Sequence, residues 1–233
     1  MLDRQPPGQH LVFDLDDTLI ENNIYFERAI DAFLDAVAHA DLTREAARAV
    51  FDDVERANTV AHGYGSLVFR RSLRDTYRRL VPGEVDEAAL GRIEALGTAI
   101  FDHDLELIPH AETTLAELAR RHTLTILTKG DREEQRLKVE RSGLERYVHH
   151  AEVVAEKNVG AYEAIMATIG AEPGRAWVIG NSPRSDINPA LAAGMGAVFI
   201  PHDHTWVLEH EEVAEGGDRL IRLDRLVELL HHF

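Results

Sequence analysis

The chain has 233 residues, 45% of them apolar and 28% charged, with no cysteine and a formal net charge of −16. The missing cysteine excludes disulfides, thiolate metal sites and a cysteine nucleophile, and the acidic balance argues against a nucleic-acid-binding surface, which needs clustered Lys and Arg. No apolar run approaches the length of a membrane span, and no basic start leads into an apolar stretch with a small-residue cleavage site, so a cytoplasmic protein without a span or a signal peptide is expected.

The first element is the run from Leu11 to Leu19, an apolar strand that delivers Asp14 and Asp16 with a hydroxyl at Thr18. Side chains alternate along a strand, so the two carboxylates start on one side and the following loop can aim them at a common point. From Glu21 to Asp104 the pattern changes to Ala, Leu, Arg and Glu at helical spacing, as in Ala29, Ile30, Phe33, Leu34 and Val37, broken at Gly63, Gly65 and Pro82-Gly83. Beyond Leu107 helices alternate with short β-rich runs. A helix opens at Pro109, a strand covers 123–128, and a helix covers 132–142, closed by Gly143. Val153-Val154 lies in a short strand, followed by a helix at 160–169, a strand at 176–180, a helix at 189–193 ended by Gly194, and a strand at 197–200. Short apolar strands alternating with helices imply an α/β fold with a doubly wound, mostly parallel sheet. The expected organisation is an α/β core of residues 1–20 and 105–233, interrupted by an α-helical domain at 21–104. The acidic stretch from Glu209 to Asp218 reads as an exposed loop.

Ligands of such sheets bind beyond the carboxyl ends of the strands, and four polar motifs are expected there. Asp14 and Asp16 invite a hard divalent cation, with one carboxylate acting as nucleophile and the other exchanging a proton. Thr128-Lys129-Gly130-Asp131 offers a hydroxyl and freed helix amides as a phosphate seat; Thr128 also suits a turn, and Asp131 is the more natural helix cap. Lys157 follows a short apolar run, from where its ammonium can reach a phosphoryl oxygen and hold Asp14 ionised, although most lysines are simply solvated. Gly180-Asn181-Ser182-Pro183 with Asp186 supplies oxygen ligands of the kind magnesium takes, and the same residues suit a turn and a cap. The 13 His residues, including His202 and His204, lack metal-ligand spacing and read as surface or supporting groups.

Taken together, D-x-D-x-T, Thr128, Lys157 and G-N-S-x-x-x-D in this order resemble the haloacid dehalogenase (HAD) superfamily of phosphohydrolases, over residues 10–35 and 105–201. The resemblance implies a Rossmann-like core with a helical cap inserted after the first motif, and a magnesium-dependent phosphatase acting on a small-molecule phosphate ester. In that reading Asp14 attacks phosphorus to form an aspartyl-phosphate, and Asp16 protonates the leaving alcohol and then activates water. Thr128, Lys129 and Lys157 bind the phosphoryl group, and Mg2+ is held by Asp14, the Asp16 carbonyl, Asn181 and Asp186. Asn181 departs from a frequent Asp, Lys129 from a frequent Asn, and Asn158 from a frequent Pro. A haloacid dehalogenase, a phosphomutase and a catalytically silent domain are the alternatives; a dehalogenase would leave Asp16 idle. The protein is expected to be a monomer or homodimer without nucleic-acid or membrane partners.

Overall fold

A computed structural model describes residues 4–38, 42–81, 83, 86–101 and 104–233; Pro82, one of the expected helix breaks, lies outside them. The chain divides into two compact units, Met1–Asn23 with Leu105–Phe233, and Ile24–Asp104. In chain order the elements are β1 (His10–Phe13), α1 (Asn23–Val37), α2 (Arg44–His62), α3 (Ser66–Leu80), α4 (Glu87–Thr98), α5 (Ala111–Leu118), β2 (Thr123–Lys129), α6 (Arg132–Ser142), β3 (His150–Val154), α7 (Val159–Ile169), β4 (Ala176–Gly180), α8 (Asn188–Ala192), β5 (Gly196–Phe199) and β6 (Leu220–Arg222). Among the described residues no helix is long and apolar enough to cross a membrane.

In the first unit six strands form one sheet in the order β3-β2-β1-β4-β5-β6, every neighbouring pair parallel. Strand residues alternate between two covering layers. Leu11, Phe13, Trp177 and Ile179 face a cluster with Leu115, Leu118 and Phe233, whereas Val12, Val178 and Leu127 face Tyr162, Ile165 and Met166. Burial on both faces explains why β4 reads Ala-Trp-Val-Ile-Gly without a polar residue. The chain steps outward from β1 to β3 and returns to the other side of β1 with β4. The crevice where the order reverses therefore opens between the carboxyl ends of β1 and β4, immediately before Asp14 and Asn181.

The helix ends follow the sequence signals. Asp131 accepts from the amides of Glu133 and Glu134, both at 3.0 Å, and Gly143 closes α6 at φ 66°. Asn158, the departure from Pro, caps α7 by accepting from Ala161 N. Two details differ from expectation. The first strand stops at Phe13, because Leu15 O collects the amides of Thr18, Leu19 and Ile20 in a tight turn. The short β6 extends the sheet beyond the last expected strand.

The second unit packs α1 to α4 around Phe33, Phe51, Phe69 and Leu73, with Thr43 capping α2 and Asp86 capping α4. The two chain segments that lead to and from it pair with each other inside the first unit. Glu21 N donates to Glu106 O and Ile108 N to Leu19 O, and Ile20 bridges Leu107 antiparallel.

His122, buried between α5 and β2, accepts from Gln9 N through Nδ1 and meets the Phe233 ring edge-on. Burial, reinforced by Arg121 and Arg4, lowers its pKa from 6.5 to about 4. The unfolded chain takes up this proton first, so the stability that depends on neutral His122 is full above pH 6.5 and is lost as pH falls from 6.5 toward about 4. Denaturant unfolding between pH 7 and 4 should show this loss, and His122→Asn should flatten that limb of the curve; an unchanged slope would remove His122 as its source.

Candidate active site

The crevice is organised by a buried cation with two anions. Asp14 follows β1 directly and continues the sheet by donating its backbone N–H to Ile179 O. Its Oδ1 lies 2.5 Å from Lys157 Nζ, which also reaches Asp186 Oδ1 at 2.7 Å. All three residues are buried. Asp186 Oδ2 accepts from Ser182 N, and Tyr162, whose hydroxyl donates to Ser185 O, stands over the same loop. The loop can hold this shape because Pro183–Ile187 forms a single π-helical turn and because Gly180 has no side chain. A Cβ at Gly180 would come within 2.3 Å of Asp186 Oδ2.

One ammonium faces two carboxylates, so the cluster carries surplus negative charge. Burial pushes the Asp14 carboxyl up to about 7, against the pull of Lys157 and with a push from Asp186. Burial also works against the Lys157 ammonium, but Asp14 and Asp186 outweigh it and hold its pKa well above the usual lysine value. Beside this cluster Thr18 Oγ1 donates to Asp14 Oδ2 at 3.0 Å and lies 3.3 Å from Asn181 Oδ1. Asn181 Nδ2 is tied to Thr205 Oγ1, which turns the amide oxygen toward Thr18. Asp14, Asp186 and Asn181 thus offer only oxygen donors, around an under-compensated negative charge. That chemistry fits a hard divalent cation such as magnesium.

Asp16 takes a different cation. Its carboxylate accepts from Lys138 Nζ at 2.8 and 2.9 Å and from Gln135 Nε2 at 2.9 Å. Gln135 in turn accepts the Thr128 hydroxyl at 3.0 Å, so the expected phosphate seat and the second aspartate are joined through one amide. Lys129, expected at the phosphate seat, has its ammonium on Glu209 at 2.5 Å, Ser185 Oγ at 2.7 Å and Glu156 at 3.4 Å. Glu209 departs from the exposed-loop expectation, which holds for Glu211, Glu212, Glu215 and Asp218. It is buried and accepts from Ser182 Oγ and Ser185 Oγ, and Lys129 with these hydroxyls outweighs burial to hold its pKa below the usual range.

Another group of possible ligands among the described residues is Asp17, Glu21 and His202, whose ligand atoms lie within 4.8 Å of one another. Their polar atoms already have structural work. Asp17, at φ 61°, caps α1 by accepting from Asn22 N and Asn23 N, and burial raises its pKa to about 7. His202 Nδ1 accepts from His204 N, which leaves Nε2 to face Glu21 at 3.2 Å.

Sequence reasoning missed Gln135, Lys138 and Glu209. The first two stand three residues apart on α6, the helix that starts beyond β2, which is polar nearly all round, so the sequence did not mark the face that meets Asp16. Glu209 carried no local signal, since its partners are 24 to 80 residues away.

A family model for haloacid dehalogenase-like hydrolases matches residues 9–194. The chain belongs to this family. A HAD-like family hydrolase from Xanthomonas campestris superposes with TM-score 0.80 at 27% identity, over 96% of this chain and 93% of that one. The putative HAD-hydrolase YfnB from Bacillus subtilis, solved bound to magnesium, gives TM-score 0.68 at 18% identity over 97% and 98%. A phosphoserine phosphatase from Thermus thermophilus is 26% identical over 185 residues, 76% of this chain and 70% of its own length. The HAD-like chain is accordingly a hydrolase.

Lys157→Met removes the one cation between two buried carboxylates, a change that costs about 3–5 kcal/mol when a buried pair is broken. The loss should be largest near pH 8 and smaller near pH 5, where a carboxyl whose pKa is raised can take up a proton instead. Urea unfolding of both proteins at the two pH values checks this, and an equal loss at both would argue against the charge imbalance.

Proposed function

We propose that this HAD-like chain is a magnesium-dependent phosphatase that hydrolyses a small phosphomonoester through an aspartyl-phosphate on Asp14. The observation that carries the reading is the separation of the two aspartates onto two lysines: Asp14 on Lys157 in the buried crevice, and Asp16 on Lys138 at its partly open rim. Two carboxylates with separate partners suit two roles, one as nucleophile and one as proton carrier. The similarity to a phosphoserine phosphatase supports phosphate-ester chemistry.

In the first step an Asp14 carboxylate oxygen bonds to phosphorus as the ester P–O bond breaks, and Asp16 gives its proton to the departing alcohol oxygen. In the second step Asp16 takes a proton from water, the water oxygen bonds to phosphorus, and the Asp14–phosphorus bond breaks to release phosphate. Lys157 and the Thr128 hydroxyl bind the phosphoryl oxygens; Thr128 must turn from Gln135 to do so. Lys129 serves the same loop indirectly, by holding Ser185 and Glu209 beneath it. Asp14, the Asp16 carbonyl, Asn181 and Asp186 would hold magnesium, which when bound supplies Lewis-acid pull on the phosphoryl oxygens and offsets the surplus negative charge. The helical unit, in this reading, is the cap that selects the substrate.

Phosphate should be released from p-nitrophenyl phosphate with magnesium and not with excess chelator. Asp14→Asn should abolish turnover. Asp16→Asn should slow alkyl esters by about 10²–10⁴-fold, the usual worth of acid–base catalysis, and aryl esters far less because their leaving group needs little protonation. Metal-independent halide release from 2-chloropropionate, with no phosphate from any ester, would overturn the reading.

A further inference from the structure

We propose that Lys138 is a specificity-determining residue that binds a carboxylate on the leaving alcohol, so that the preferred substrate is the phosphate ester of a hydroxy acid or amino acid. The proposal rests on the phosphatase reading, and in particular on Asp16 serving the ester oxygen. A proton carrier must come within hydrogen-bond reach of the atom it serves. Lys138 Nζ lies 2.8 and 2.9 Å from the two Asp16 oxygens. Two consecutive hydrogen bonds then separate the ammonium from the ester oxygen, about 6 Å at most, which is the span of the substituents on the first carbons of the alcohol.

The lysines around the crevice differ in how much negative charge they already meet. Lys157 is bracketed by Asp14 and Asp186, and Lys129 by Glu209 and Glu156. Lys138 meets one carboxylate, and its remaining contact is the neutral amide oxygen of Asn22 at 2.7 Å. An ammonium has three donors. Replacing an amide oxygen by a carboxylate oxygen on one of them exchanges a neutral hydrogen bond for a charge-assisted one. Asn22 can yield that position without losing its own anchors, since its backbone N–H stays on Asp17 and its Nδ2 on Asn23 Oδ1. The Lys138 side chain is 14% exposed, open enough for a ligand and closed enough to strengthen the pairing.

The overall charge sharpens the argument. A phosphate ester bearing a carboxylate is more anionic than a simple alkyl phosphate, and a chain of net charge −16 repels it unless a local cation faces the extra charge. In this reading Lys138 accompanies Asp16, the residue that serves the leaving group, whereas Lys157 serves the phosphoryl group. A substrate with two anionic ends would thus meet one lysine at each end.

O-phosphoserine and phosphoethanolamine differ only in the carboxylate and form the matched pair for the test. In the wild type kcat/KM should favour O-phosphoserine by about 10- to 100-fold, the worth of a hydrogen bond to a charged group. Lys138→Gln should bring the ratio close to one, chiefly through KM for O-phosphoserine, and Lys138→Arg should restore part of it. A wild-type ratio near one, or an equal loss for both esters in Lys138→Gln, would overturn the proposal and leave Lys138 as a support for Asp16 alone. Calorimetric titration of the same two esters into the Asp14→Asn protein separates this outcome from failure of the phosphatase reading. If the wild type hydrolyses nothing, the phosphatase reading falls. A binding preference for O-phosphoserine that disappears on adding Lys138→Gln would still sustain carboxylate recognition, and the absence of any preference would overturn that as well.

Discussion

Everything at the carboxyl end of the sheet is arranged around one buried ammonium. Lys157 has to be desolvated to reach Asp14 and Asp186, and a buried charge is tolerated only where its partners are held in good geometry and their remaining lone pairs are satisfied. Each partner is therefore anchored from a different element. Asp14 extends β1 and is pinned by Thr18; Asp186 sits in the π-helical turn after β4 and takes the Ser182 amide; Lys157 enters from the connection between β3 and α7. The sheet order that brings β1 beside β4 is the precondition for all three.

A second network backs this one without touching Asp14. The partly buried Lys129 ammonium, with buried Glu209 and the hydroxyls of Ser182 and Ser185, forms a hydrogen-bonded unit under the loop that carries Asn181 and Asp186. Low local dielectric strengthens such networks when every member is satisfied. A loop whose two serines share one carboxylate has few ways to move. That restraint keeps the Asp186 carboxylate in line with Lys157.

Much of this was legible in the sequence because the signals are local. The strands β4 and β5 are continuous apolar runs, Asp131 and Gly143 bracket α6, and the polar motifs fall where strands end, so the parallel sheet and the positions of Asp14, Thr128, Lys157 and Asn181 at strand ends could be read from spacing. The first strand was read too long because apolar residues recur at Phe13, Leu15 and Leu19, while the turn that ends it is made by backbone bonds to Leu15 O that leave no mark on composition. Lys138 and Gln135 were invisible because α6 is polar nearly all round, so nothing singled out the face that meets Asp16. Glu209 looked like one acid among several in a loop. Its burial depends on Lys129, 80 residues earlier, and only the folded chain brings the two together.

The paired segments at Leu19 to Glu21 and Glu106 to Ile108 give the helical unit a single hydrogen-bonded stem, with its two ends leaving the sheet unit side by side. Topologically, some eighty residues occupy the position of a hairpin loop. Because closure entropy grows only slowly with loop length, the stem sets almost no limit on what it carries. The α/β unit could accept a shorter turn, or an insert of another size and shape, without altering a strand register or moving Asp14. Such a stem is a natural grafting point, at which one insert can be exchanged for another while the sheet that carries Asp14 stays as it is.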